Sequence, residues 1–426
     1  KWVCPKPHGA SSCLHTNTNP PAGKNKKQKG EINVKKVISI ALALLMVAVM
    51  LPVMAMAEDV NDATTLKAAV ATSGNIKLTN DIKLTETLNI NAGVTIVLDL
   101  AGKKISAAMD GPHMISSAGN LTIIDSVGTG SIAKEGKSSD YGYVLENHGI
   151  MELNGIKVTS ASSVSSAIEN GWYTASANTT KEPCKMTITN SDISQANGSG
   201  GLYTIKNDDY GVMVINGGNF TNSTAGAGTV LNWNDLTIND GNFTGVAAVR
   251  TLKQGTLGYE LGNTLINGGT FNGKIDTLPK YSDVQIGVMG GSFNSDVTDY
   301  VHASPTVKDN NGKYYVGNTA KNAVENAESG SFEVLAASEG EALNVKPGVT
   351  IVNNSNITIT VNGNDVKPET SYTVPGAPII IYNPTVDTPK ANDQKNPSTG
   401  ANDFVGVAAA MAVVSLLGAA AVIRKK

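Results

Sequence analysis

The chain has 426 residues, with 33 Lys and Arg against 36 Asp and Glu and a formal net charge of −3. Between Glu58 and Thr399 the imbalance sharpens to 22 basic and 34 acidic residues, a net charge of −12, which argues against nucleic acid or anionic lipid as a partner. Cys184 is the only cysteine in that stretch, so no internal disulfide is available and stability must come from packing and hydrogen bonds.

In chain order, Cys4, His8, Cys13 and His15 come first and superficially look like zinc ligands. They precede a signal peptide, however, and the basic n-region of such a peptide sits at the start of a translated chain. Residues 1–33 are therefore expected to be an untranslated leader. Val34 would be the start, read from a GUG codon, and Lys29-Gly30-Glu31 can be encoded as a ribosome-binding site. Lys35-Lys36, the apolar run from Val37 to Val53 and the small-residue site Ala55-Met56-Ala57 make 34–57 a signal peptide. Glu58 then opens the exported protein.

Residues 61–73 read as a short helix, with Asp62 as cap and Leu66, Ala69 and Val70 as the apolar stripe. Such a helix suits the lid of a solenoid, whose open end would otherwise expose a strand edge. Further on, Phe220 closes VINGGNF, Phe243 TINDGNF, Phe271 LINGGTF and Phe293 VMGGSF. ITNSDI, ending at Ile193, and LNGIKV, ending at Val158, fit the same frame, and each unit has an apolar residue five positions before its end. Recurrence at this length signals an array. The units alternate apolar and polar residues, favour β-branched side chains and turn on Gly, Asn or Asp, so they predict short stacked strands. We expect residues 58–300 to form a parallel β-helix in which the four phenylalanines stack inside. Asn216, Asn239 and Asn267 should form one polar column, and Asp192, Asn219, Asn242, Thr270 and Ser292 another.

TVKDNNGKYYVG (306–317) carries an Asn-Gly turn and predicts a β-hairpin within 301–318. The strands of residues 73–78 and 88–97 recur as 329–335 and 343–352, again after a helix-like segment, which marks a small second β unit over 319–382. Residues 383–395 form a polar linker. The end reads Asn396-Pro397-Ser398-Thr399-Gly400, then an apolar run from Phe404 to Ile423, then Arg424-Lys425-Lys426. That run is long enough for one membrane-spanning helix with its basic end on the cytoplasmic side.

The pentapeptide resembles the LPxTG sorting signals of Gram-positive surface proteins, with Asn396 where Leu is usual. The resemblance makes 396–426 a cell-wall sorting signal with a transmembrane helix. It implies sortase cleavage between Thr399 and Gly400 and covalent attachment to peptidoglycan. The coil units resemble pectate-lyase-like right-handed β-helix proteins, which implies the architecture but no particular activity. The expected whole is all-β: a right-handed parallel β-helix and a small C-terminal β unit, flanked by a signal helix and a sorting helix.

The expected function is a wall-anchored surface protein, an adhesin or carbohydrate-binding β-helix without catalysis. Its partners would be sortase, peptidoglycan and host or plant glycans. Aromatics in the longer inserts (Tyr141, Tyr143, Trp172, Tyr173, Tyr203, Tyr210 and Trp233) offer flat faces for sugar rings beside Asn and Asp. The ligand-binding candidates are Trp172, Tyr173, Tyr203, Tyr210 and Trp233; covering the coil ends is the alternative use for such rings. A polysaccharide lyase or glycoside hydrolase is the first alternative, since enzymes of this architecture, by the resemblance, cluster carboxylates with Arg or Lys on one face. No histidine spacing supports it, and no catalytic residue is assigned. A structural surface protein without ligand is the second alternative. No cofactor is expected, apart from a Ca²⁺ for which Asp208, Asp209, Asp235 and Asp240 are the candidates. Gly128-Thr129-Gly130-Ser131-Ile132-Ala133 matches a dinucleotide fingerprint, but Lys134 to Ser139 then read as a loop instead of the helix that a pyrophosphate requires.

Overall fold

The computed structural model describes residues 57–376, except 109–112, 136–141, 162–164, 174–176, 196–201, 224–225, 253–261 and 279–283. The expected leader with its Cys and His residues, the signal peptide up to residue 56, residues 377–382, the linker and the sorting signal lie outside the described residues, as does Tyr141. Among the described residues no helix is long and apolar enough to cross a membrane.

The described residues are all-β, with a parallel solenoid of about seven turns. One turn shows how the sequence builds it. Leu145–Asn147, Ile150–Asn154 and Lys157–Ser160 are its three strands. The first pairs in parallel with Ile115–Ser117 and Ile168–Asn170. The second pairs with Asn120–Ile124 and Cys184–Thr189, and the third with Ser131–Lys134 and Ser191–Gln195. Three parallel sheets result, which we call the groove, second and third sheets. Along each strand the side chains alternate, so Met151 and Leu153 are buried while Glu152 faces out.

The apolar columns stack in register. Leu153, Ile188, Ile215, Ile238, Ile266 and Val288 succeed one another in the second sheet. In the third sheet Phe220, Phe243, Phe271 and Phe293 lie face to face, with ring centroids 4.7, 4.9 and 4.9 Å apart. All four rings are fully buried. The expected surface columns form as well: Asn239 donates to Asn216 (2.7 Å) and Asn267 to Asn239 (2.9 Å). In the other, Asn219 donates to Asp192, Asn242 to Asn219 and Ser292 to Thr270.

Between second and third sheets the turn differs from expectation in one respect. Positive φ recurs at the second glycine position, at Gly218, Gly241, Gly269 and Gly291 (φ 109–133°). At the first position Gly155, Asn190 and Gly217 adopt it but Asp240 does not, so Asp240 is not there to serve a left-handed backbone. Gly218 is also confined by space, because a Cβ there would lie 2.0 Å from the Ser191 carbonyl oxygen. In the dinucleotide-like segment, Ser131–Lys134 is a strand of the third sheet, not the start of a helix.

Both ends are covered. The N-terminal helix Ala63–Ala69 is capped by Asp62, whose carboxylate accepts from the Thr65 N–H, and it buries Leu66 and Ala69. At the other end the hairpin of Thr306–Asp309 and Tyr314–Val316 pairs antiparallel with Gly291–Phe293, the last strand of the third sheet. A second apolar core follows, built from Val307, Val324, Val334, Val349 and Ile351 among others. There Gly330–Ala336 pairs in parallel with Val349–Asn353, as Gly74–Leu78 does with Thr95–Asp99 in the first coil. The repeated sequence thus builds the same parallel pairing twice.

Candidate functional site

A ladder of asparagines orients the groove sheet. Asn147 donates to Asn170 (2.7 Å), Asn170 to Asn207 (2.8 Å) and Asn207 to Asn232 (2.8 Å), all completely buried. The same amides reach backbone carbonyls of the second sheet, among them Lys185 and Asp235 (each 2.9 Å). These contacts satisfy groups that a sharp corner would otherwise leave unpaired. With the asparagine turned inward, strand alternation turns the preceding residue outward. Ser116, Glu146, Glu169, Lys206, Leu231 and Arg250 therefore form one in-register column on the outer face.

Above this column is a groove of about 650 Å³, within the size range of small-ligand sites. Tyr143, Tyr173, Tyr203 and Trp233 line it together with His113, Glu146, Glu169, Lys206 and Asp208. Of the five expected ligand-binding aromatics, Tyr173, Tyr203 and Trp233 converge here. Trp172 does not line the groove and is stacked on His148 with centroids 3.8 Å apart. Tyr210 occupies a left-handed turn (φ 62°) and does not line the groove.

The polar floor is internally connected. Glu146 accepts from the Ser116 hydroxyl at 2.5 Å and lies 3.1 Å from His113 Nε2. His113 Nδ1 accepts the Tyr143 backbone N–H at 3.1 Å, so the proton of a neutral ring sits on Nε2, facing Glu146. Burial holds His113 and His148 below the usual histidine value, although the charge of Glu146 pulls the other way. Glu169 is only 2% exposed. Its carboxyl is pushed up to about 9, first by burial and then by hydrogen bonding to Asp208 and by that residue's charge. Burial, then the nearby carboxylates, raise the Tyr143 hydroxyl.

The nearby cations are engaged. Lys206 Nζ lies 2.7 Å from Asp208 and 4.7 Å from the centre of the Tyr173 ring. Arg250, the last outward residue named in the column, grips Asp276 with two 2.7 Å bonds. Three buried polar atoms lining the groove have no hydrogen-bond partner: Ser166 Oγ, Glu169 Oε1 and Trp233 Nε1. A buried group without a partner costs about 1–3 kcal/mol, and a bound molecule offering hydroxyls would meet that need.

The four aspartates considered for Ca²⁺ behave differently from one another. Asp208 pairs with Lys206, Asp209 is buried, Asp235 is exposed beside Asn263, and Asp240 is exposed and accepts from the Gly241 N–H. Among the described residues no group of three or more His, Cys, Asp or Glu could hold a metal ion.

Glu146, Glu169, Lys206 and the inner asparagine ladder are not among the residues expected from the sequence. Their signal is the recurrence Leu145-Glu146-Asn147, Ile168-Glu169-Asn170, Ile205-Lys206-Asn207 and Val230-Leu231-Asn232. Inserts of unequal length separate these triplets and break their period.

The class defined by fold and site is a parallel β-solenoid carrying an acidic, aromatic-walled groove on one sheet. Compared with known protein families, curated proteins and solved structures, the chain matches none.

Proposed function

We propose that this is an exported, wall-anchored surface protein whose groove binds a glycan. The observation that carries the reading is the set of partnerless polar atoms in a groove walled by Tyr173, Tyr203 and Trp233. Sugar rings present an apolar face and a hydroxyl edge, and this groove offers the matching pair of surfaces. The solenoid acts as a rigid support, and the NPSTG motif with its apolar tail provides the attachment.

Binding of the purified protein to an array of host, plant and microbial glycans tests the site. Tyr173→Ala and Trp233→Ala should each weaken binding at least tenfold, about 1.4 kcal/mol, while leaving the fold intact. Unchanged affinity in both variants removes the groove as the binding site. Attachment is tested by Thr399→Ala in the native organism. The variant should leave the covalent wall fraction, and its persistence there would rule out cleavage at Thr399–Gly400.

A further inference from the structure

We infer that the groove hydrolyses the glycan it binds, with Glu169 as the acid, Glu146 as the nucleophile, and an uncharged or amino-sugar polymer as substrate. This rests on the glycan reading above. Glu146 and Glu169 are register partners on adjacent strands of the groove sheet, with backbones about 4.8 Å apart along the solenoid, nearer the spacing of a retaining than of an inverting pair. Two carboxyl groups flanking one bond are what glycoside hydrolysis requires, and here their surroundings differ. Glu146 faces donors, the Ser116 hydroxyl and the Nε2 edge of His113, which fix the direction of its carboxyl oxygens. Glu169 is buried against the Asp208 carboxyl, where two like charges so close disfavour double ionisation. Its proton is held to about pH 9, so it remains an acid at neutral pH. Glu169 Oε1, buried and without partner, is the atom left for substrate.

In the reaction Glu169 gives its proton to the glycosidic oxygen as the bond from that oxygen to the anomeric carbon breaks, and the Glu146 carboxylate bonds to that carbon as a glycosyl ester. A water molecule then displaces the ester at the anomeric carbon and passes its proton to Glu169, which restores both carboxyl groups. The net change is addition of one water, giving a reducing end and a free hydroxyl, with no oxidant or other co-reactant. Asp208 touches Glu169 rather than the sugar and is a positioning residue. The substrate class follows from charge. Lys206 is neutralised by Asp208 and Arg250 by Asp276, so among the described residues the groove offers no free cation to a uronate carboxylate, and Glu146 repels it.

The test incubates the purified protein with xylan, galactomannan, starch, chitosan and polygalacturonate, reading binding and new reducing ends separately. We expect cleavage of at least one of the first four, with an alkaline limb in the rate near pH 9. Glu169→Gln and Glu146→Gln should each cut the rate at least a hundredfold with affinity within threefold of the parent. Asp208→Asn should move the alkaline limb to lower pH, a shift that loss of packing alone would not produce. Binding without reducing ends overturns the hydrolytic inference and leaves the glycan reading standing. Absence of binding to every polymer overturns both. Unsaturated uronate released from polygalacturonate would show elimination instead and also overturn it.

Discussion

Glu169 shows what burial does to one side chain when its neighbours are also acidic. In the unfolded chain it would lose its proton near 4.5, while in the fold it keeps it to about 9. Between those values the native state holds one more proton than the unfolded state, so stability falls as pH rises, by up to about 1.4 kcal/mol per pH unit. The two depressed histidines act in the other direction, but only below their ordinary value of 6.5. Thermal melts between pH 6.5 and about 8 therefore isolate Glu169, below the ordinary value of 9.0 at which the buried Cys184 thiol, raised by the fold, begins to act in the same direction. The parent should lose stability across that range and Glu169→Gln should show a flatter profile. Parallel profiles would mean that the carboxyl is already ionised in the native state.

At the scale of the strand and the coil, two kinds of ladder divide the work. The phenylalanine stack of the third sheet was legible because VINGGNF, TINDGNF, LINGGTF and VMGGSF recur with little insertion, and an apolar residue in such a frame has only the interior to occupy. The buried asparagine ladder was not legible, because coils that differ in insert length do not align by counting residues. The outer amide columns, Asn216–Asn239–Asn267 among them, are solvent-exposed, so they satisfy few groups that water could not. Inside, Asn170 donates to Asn207 and Cys184 and accepts from Asn147. Asn170→Leu leaves partners on both neighbouring coils unpaired, at about 1–3 kcal/mol for each orphaned group. By contrast, Asn239→Ala on the surface should stay within about 0.5 kcal/mol of the parent. Denaturant titration of the two variants compares them directly, and equal midpoints would show that the inner ladder is not what holds the corner.

For the whole molecule, the ends decide whether a stack of coils is a stable protein. The last strand of the third sheet, Gly291–Phe293, is paired by the hairpin strand Tyr314–Val316, and Tyr314 packs against the main core. A chain stopped after Ala303 would leave that edge open and uncover Phe293, fully buried in the intact protein. An open apolar edge invites pairing between copies. The shortened protein should associate at concentrations where the parent stays monodisperse by light scattering. A soluble shortened monomer would show that the solenoid closes its own end.

Sequence alone determined the architecture, since apolar alternation and turn glycines are local requirements that every coil repeats. It also identified the N-terminal cap at Asp62, the Asn-Gly hairpin and the recurrence of the first coil's strand sequences in a C-terminal β unit. What only the tertiary structure decided is the groove. Glu146, Glu169 and Lys206 come from three different coils, separated by inserts whose lengths follow no period. Their meeting depends on strand register across coils, a property of stacking that no single segment carries. The aromatics were visible in sequence as surface candidates, but which of them meet those carboxyl groups was settled by where each insert leaves its coil.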